Sequence, residues 1–469
     1  MTSRPTDPLH YLTITEAASR IRARQTSSLE LTRHTLDRIS ALDPDLRAYA
    51  TVMRNTALTS AERADKEIAS GTDRGPLHGI PVAVKDLCFT RGVPTMGGMA
   101  VYANHVPEYD ATVVRRLADA GAVLMGKLNL TEGAMIGYHR DFAIPANPWD
   151  RTVWAGASSS GSGVASAAGL AFATLGSDTG GSIRFPAAAC GVVGLKPTWG
   201  RVSRHGVIPL AESLDHIGPL ARCTADAAMM FEAIAGYDAN DTTSLRSPVA
   251  KISDHIADGI AGVRMGIDRK HIEDHCDPVV AKAVLENADI FAALGARLID
   301  VQLPNIEPYV SAWSDICCAE AALAHQHSFP SRSDDYGPWF RGWLQRGNSL
   351  SAVDYARAHL MRLACTGEYR KLQENIDLLL IPAMAMLPPV YDPQDLYGAM
   401  ENFDLRMTAY TAVFDFTGAP TLTLPCGFSD GGLPLSLQLV ARHEQELLLC
   451  QAGNAYEGVT DWHARHPPR

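Results

Sequence analysis

The stretch from Gly156 to Pro186, GASSSGSGVASAAGLAFATLGSDTGGSIRFP, constrains the fold of this chain more than any other segment. Glycine and serine at such density ordinarily make a flexible connection. The flanks argue against that here. Val164 to Gly176 is small, apolar and uncharged, and Gly191-Val-Val-Gly-Leu continues the same character, so the tract belongs inside a packed core. The run Asp178-Thr-Gly-Gly-Ser182 follows the apolar segment Leu170 to Gly176. Two glycines free the backbone to curl and to gather N–H groups beside a serine hydroxyl, the geometry of an oxyanion hole.

A serine is a poor nucleophile at neutral pH unless a base takes its proton. The sequence Gly79-Ile-Pro-Val-Ala-Val-Lys-Asp86 ends an apolar run in a single lysine, 73 residues before Ser158. Alone, such a lysine reads as a surface residue with its stem laid along apolar neighbours. Burial beside the serine tract would instead hold it uncharged and make Lys85 a candidate base.

These segments together resemble the amidase signature family of serine hydrolases. The resemblance rests on Ala157-Ser-Ser-Ser-Gly161, on Asp178 to Arg184, and on Gly194-Leu-Lys-Pro-Thr198. It covers about residues 10–240 and 375–460 and leaves the middle of the chain unassigned. It implies an α/β fold with a large mixed central sheet and helices on both faces, in a single domain over 1–469. The catalytic core would be about 60–240 and 375–460, with a variable substrate or lid region at about 245–375. By position in the motifs, Ser182 is the nucleophile, Ser158 the bridging serine on a cis peptide, and Lys85 the base. Thr179, Gly180, Gly181 and Ser182 would offer N–H groups to the oxyanion, with Ser159, Asp178 and Arg184 in support. Tyr138, Phe185, Trp339, Met384 and Met386 are the expected substrate pocket.

The implied activity is hydrolysis of the C–N bond of carboxylic amides, with anilides, esters and carbamates as further small-molecule substrates and no metal or other cofactor. The alternative is an amidotransferase A-type subunit that releases ammonia from glutamine in a tRNA-dependent complex. Phe185 stands where that subunit typically has Gln, which favours a stand-alone hydrolase, a monomer or homodimer. Asp415 stands where the family commonly has Asn, so a substrate contact cannot be carried over to it.

Other chemistries fit the letters poorly. Gly121-Ala-Val-Leu-Met-Gly126-Lys127 starts like a phosphate-binding loop, but Leu128 occupies the Ser/Thr place, and it reads as the end of a strand. There is no His-Glu-x-x-His and no Ser-x-x-Lys, and His139-Arg140-Asp141 lacks the glycine loop of a kinase. A Ser/His/Asp triad using His139, His205 or His216 remains open, although Ser182 lacks the Gly-x-Ser-x-Gly elbow. A net charge of -11 disfavours nucleic acid and anionic membrane. Nine scattered cysteines and a first segment, MTSRPTDPLHYLT, without an apolar core point to the cytoplasm.

Along the chain, Thr13-Ile-Thr-Glu16 and Ser27-Ser-Leu-Glu30 predict capped helices, and Ala57, Ala61, Ala64 and Ile68 a third that stops at Gly71. Gly79 to Val84 should be a strand that delivers Lys85. Asp110 should cap a helix through Leu117, with a strand at Val123-Leu-Met. Asp277-Pro278 should open a helix closed by Gly295, before a strand at Leu298–Val301. Gly236 to Pro248 reads as a surface crossing into the aromatic middle, where Trp313, Phe329, Tyr336, Trp339, Phe340 and Trp343 crowd one stretch.

Overall fold

The computed structural model describes residues 8–399 and 405–468. Among them one sheet of eleven strands runs through the molecule. In chain order these are β1 (Tyr49–Val52), β2 (Pro81–Lys85), β3 (Val123–Leu128), β4 (Ala173–Asp178), β5 (Val193–Lys196), β6 (His216–Ala221), β7 (Arg264–Ile267), β8 (Arg297–Asp300), β9 (Leu378–Pro382), β10 (Thr421–Phe428) and β11 (Pro434–Ala441). Their spatial order is β1-β3-β2-β4-β6-β5-β10-β11-β9-β7-β8. The sheet is mixed. β2 runs parallel to β3 and β4, and β7 parallel to β8 and β9, while the strands between those blocks are antiparallel.

Successive side chains of a strand point to opposite faces, and β2 shows both faces covered. Val82 and Val84 enter one apolar core and Ala83 another. A strand buried on both sides can be apolar throughout, which is why residues 79–84 read as a continuous run. The middle of the chain is not a separate layer, because β7 and β8 hydrogen-bond into the same sheet.

The small residues of the serine tract are required by close approach. A Cβ on Gly161 would lie 2.5 Å from the Ala48 carbonyl oxygen, and one on Gly163 2.9 Å from the Pro186 Cβ. The helix Ser160–Ala167 therefore sits directly against neighbouring backbone, and every one of its residues is buried.

Local signals hold where their partners are local. Thr13 and Glu16 form the full capping box. Ser27 accepts the Glu30 N–H, but the Glu30 carboxylate takes the Thr26 hydroxyl, and Asp65 from the next helix accepts the N–H groups of Ser28 and Leu29. Asp110 does not cap the helix Thr112–Asp119; its carboxylate accepts the Arg91 N–H. The segment from Gly236 to Pro248 lies at the surface but is pinned. Asp238 accepts the hydroxyls of Thr112 and Ser203, and Arg201 donates to the Ser247 and Pro248 carbonyls.

Two glycines test this packing in opposite directions. A Cβ on Gly218 in β6 would lie 2.1 Å from the Leu195 carbonyl oxygen, so Gly218→Ala should cost about 3 kcal/mol or more. Gly367, inside the helix Ala352–Gln373, has nothing within 4 Å of that position, so Gly367→Ala should stabilise by about 1 kcal/mol. Thermal midpoints of the two variants, falling for the first and rising for the second, check both.

Candidate active site

Lys85 is the last residue of β2, between β3 and β4, and is fully buried. Its Nζ lies 2.6 Å from Ser158 Oγ, 2.9 Å from Ser159 Oγ and 2.8 Å from Ser177 Oγ. All three partners are hydroxyls. Burial lowers the Lys85 ammonium to about 7, against the pull of the more distant Asp178 carboxylate. The next strand carries a contrasting case: Lys127, equally buried, pairs with Asp86 Oδ1 at 3.1 Å and donates to Thr95 Oγ1 at 2.7 Å. One buried lysine is neutralised by an acid, and the other is left among alcohols.

Ser158 follows a cis peptide bond from Ala157. The Ser159 N–H donates to the Ser182 carbonyl at 3.2 Å, which ties the two serine segments together. Ser182 lies in the turn between β4 and the helix Arg184–Cys190, and its conformation is dictated by Asp178. That carboxylate accepts the N–H of Gly181 at 2.6 Å and of Ile183 at 2.9 Å. All four carbonyls of the turn are engaged. Thr179 O accepts from Trp313 Nε1 at 2.7 Å, Gly180 O from Thr411 Oγ1 at 2.6 Å, Gly181 O from the Phe185 N–H at 2.7 Å and Ser182 O from Ser159. The N–H groups of Thr179, Gly180 and Ser182 have no such partner among the described residues. Gly181 departs from the expected donor set, because its N–H is spent on Asp178.

Beneath the turn lies a buried charge cluster. Arg184 meets Asp178 with Nη2 at 2.8 Å and Nε at 3.0 Å, donates to the Thr411 carbonyl and Gln438 Oε1, and pairs with Asp415. Burial pushes the Asp178 carboxyl up, but Arg184 outweighs it and holds the group below the usual carboxylate range. For Asp415 burial wins and raises it well above that range. Asp415 is thus a completely buried support under the turn, removed from any substrate. His216, one of the histidines open to a triad, sits in this cluster, its Nδ1 3.3 Å from Asp415 Oδ1. His205 stacks on Tyr109 and His139 lies against Phe142. Among the described residues, none of the three hydrogen-bonds to a serine hydroxyl of the tract.

The pocket at Ser182 encloses about 30 Å³ and is walled by Trp154, Phe185, Leu210 and Trp313. Through Met135, Ile136, Trp313 and Thr408 it shares walls with a cleft of about 1090 Å³ that runs past Trp339 and Trp343 to His271 and His275. Of the expected pocket residues, Phe185 lines the narrow part and Trp339 the wide part. Tyr138, Met384 and Met386 do not reach either. Tyr138 is buried with its hydroxyl 2.7 Å from Ser160 Oγ, and Met384 and the half-buried Met386 belong to an apolar cluster that includes Phe185 and line a separate cavity of about 10 Å³. Sequence reasoning did not assign Ser177 or Thr411 to the site, and it named Trp313 only as one of the aromatic residues of the middle segment, without its contact to the turn. Ser177 had a local signal, as a polar residue next to Asp178 at the end of β4, whereas Trp313 lies 134 residues from the carbonyl it holds.

A family profile described as Amidase matches residues 30–450 without a break, the unassigned middle included. The Mycobacterium tuberculosis protein named "Putative amidase AmiD" is 44% identical over 467 residues, spanning 98% of this chain and 97% of that protein. The A component of glutamyl-tRNA(Gln) amidotransferase from Chloroflexus aurantiacus is 39% identical over 487 residues, spanning 98% and 99%. Among solved structures, 6-aminohexanoate cyclic dimer hydrolase with its substrate superposes with a TM-score of 0.87 at 28% identity, over 98% of this chain and 99% of that one. No helix of the described residues is long and apolar enough to cross a membrane.

The cluster under the turn sets a stability expectation. Arg184→Met would strand the Asp178 carboxylate without its cation, at a cost of about 3–5 kcal/mol. Arg184→Lys should recover little of this, because one ammonium cannot reach Asp178, Asp415, Thr411 O and Gln438 together. Soluble yield and thermal midpoint should fall in both variants.

Proposed function

The chain belongs to the amidase signature family of amide hydrolases, and from that premise we propose that it cleaves carboxylic amides through an acyl-enzyme on Ser182, with Ser158 and Lys85 carrying the protons. The observation that carries this reading is the set of hydroxyls around Lys85. Ser159 Oγ accepts the Ser177 N–H and donates its own hydrogen to the Ser177 carbonyl, so toward Lys85 it can only accept. A neutral amine has two N–H bonds and one lone pair. With one N–H bond directed at Ser159, the other N–H and the lone pair face Ser158 and Ser177, and Ser158, at 2.6 Å the shortest of the three contacts, is the hydroxyl assigned to the lone pair.

Ser158 then gives its proton to Lys85 while taking the proton of Ser182, whose oxygen bonds to the substrate carbonyl carbon. The carbonyl oxygen becomes an oxyanion held by the N–H groups of Thr179, Gly180 and Ser182, each donor worth about 3 kcal/mol in comparable sites. The relay reverses as the C–N bond breaks. Lys85 returns a proton through Ser158 to the leaving nitrogen, since an amide anion is too basic to depart alone. Water attacks the acyl-enzyme by the same route and releases the acid. Anilides, esters and carbamates present the same carbonyl, and the tryptophan-lined cleft suits flat apolar substituents.

The likeness to the A component of the amidotransferase supports a second reading, glutamine hydrolysis coupled to partner chains. Phe185 in the narrow pocket offers no hydrogen bond to a carboxamide side chain and weighs against it. Turnover of a nitroanilide by the purified chain alone, without glutaminase activity, would decide for the stand-alone hydrolase.

Ser182→Ala should lower amide turnover about a thousandfold or more with the fold retained. Ser158→Ala should harm amides more than activated esters, whose leaving group needs less help from a returned proton. Equal losses on both would reduce Ser158 to a shaping role. Because the folded Lys85 ammonium is lowered to about 7, the active neutral form is scarce below that pH and dominant above it. Activity should rise through pH 7, and Lys85→Ala should remove most turnover and flatten that acidic limb. Lys85→Arg should not rescue, since guanidinium keeps its proton.

A further inference from the structure

Trp313 comes from the helix Glu307–Ala324, in the part of the chain to which the sequence assigned no catalytic role. Three observations converge on it. Its indole N–H donates to the Thr179 carbonyl at 2.7 Å. Its ring lies so close to the turn that a Cβ on Gly180 would be 2.3 Å from Trp313 Cζ2. The same ring is a wall of both the narrow pocket at Ser182 and the wide cleft beyond it.

The other carbonyl contacts of the turn come from Thr411 and from the main chain of Ser159 and Phe185. Thr179 is held on both arms, its hydroxyl donating to Asp215 Oδ1 at 2.5 Å and its carbonyl accepting from Trp313. A peptide unit whose carbonyl is fixed has its plane fixed, and the N–H of that unit is the N–H of Gly180. The Trp313 contact therefore sets the direction of one oxyanion donor from a segment that also shapes the substrate cleft.

We propose that Trp313 is a positioning residue for the oxyanion hole, acting through the Thr179–Gly180 peptide, and that the middle of the chain thereby contributes to the chemical step as well as to substrate binding. The proposal rests on the amide-hydrolase reading with Ser182 as nucleophile. A fixed donor matters most where charge develops, so its loss appears in kcat rather than in KM.

Trp313→Phe keeps an aromatic wall and removes the N–H. On a small anilide and on a bulkier aryl amide alike, kcat should fall about tenfold or more while KM changes less than threefold. Trp313→Tyr, which also lacks the indole N–H, should behave the same and serves if the first variant does not accumulate. The rate at which a phosphonofluoridate labels Ser182, followed by intact mass, should fall in parallel, because that reaction builds charge on the same donors. Unchanged kcat with raised KM would make Trp313 a wall only. A lowered thermal midpoint with unchanged kcat and unchanged labelling would make it merely structural, and either result overturns the proposal. If the wild-type protein neither turns over amides nor labels at Ser182, the amide-hydrolase reading fails first and this one falls with it. Wild-type labelling matched by the variants overturns Trp313 alone.

Discussion

A lysine buried without a carboxylate partner is the constraint on which the rest of this structure turns. An ammonium in an apolar interior is costly, and proteins usually meet that cost by pairing it or by letting it lose its proton. Lys127 and Lys85 take the two routes on adjacent strands. Lys127 has Asp86, whereas Lys85 has Ser158, Ser159 and Ser177. Hydroxyls can solvate an amine but cannot neutralise a cation, so the second site favours the unprotonated form. Both faces of β2 must be covered for this to hold, and the glycine- and alanine-rich helix Ser160–Ala167 can approach closely enough to help seal the site.

The turn from Thr179 to Ser182 is fixed differently, through its carbonyls, and keeps the N–H groups of Thr179, Gly180 and Ser182 without a partner among the described residues. A curled loop has as many carbonyls as N–H groups, and the carbonyls would repel an oxyanion. Here each carbonyl from Thr179 to Ser182 is engaged by a donor elsewhere: an indole, a hydroxyl and two main-chain amides. Asp178 spends its oxygens on Gly181, Ile183 and Arg184. Arg184 holds Asp178 below the usual carboxylate range while burial raises Asp415 above it, so two buried carboxyls of opposite tendency flank one guanidinium. The Asp at 415, which differs from the expected Asn, belongs to this support and has no view of the cleft.

The cleft itself combines contributions from distant parts of the chain. Its narrow end is built by the serine tract and by Trp154, and its wide end by Leu303, Trp339 and Trp343 of the middle segment. The middle segment both joins the sheet through β7 and β8 and supplies Trp313 to the turn that holds Ser182, so the cleft and that turn share one scaffold.

The sequence by itself determined the elements whose causes are local. The capping box at Thr13, the strand that delivers Lys85, the close-packed serine tract and the Asp-Thr-Gly-Gly-Ser turn were all legible, because spacing, side-chain size and glycine freedom act within a few residues. The mixed sheet and the Lys85, Ser158 and Ser182 assignment followed from a motif resemblance to a family rather than from periodicity. Tertiary structure alone decided which N–H groups of the turn stay available, since Gly181 is claimed by Asp178 and only packing shows it. It alone sent Tyr138 and Met384 into a buried apolar cluster and set the half-buried Met386 against it, away from the cleft, because apolar and aromatic letters look the same whether they fill a core or line a pocket. It alone brought Trp313 to Thr179 and Asp415 to Arg184, contacts spanning 134 and 231 residues. Partners so far apart leave no local pattern, and they meet only once the sheet and its helices have closed around Lys85.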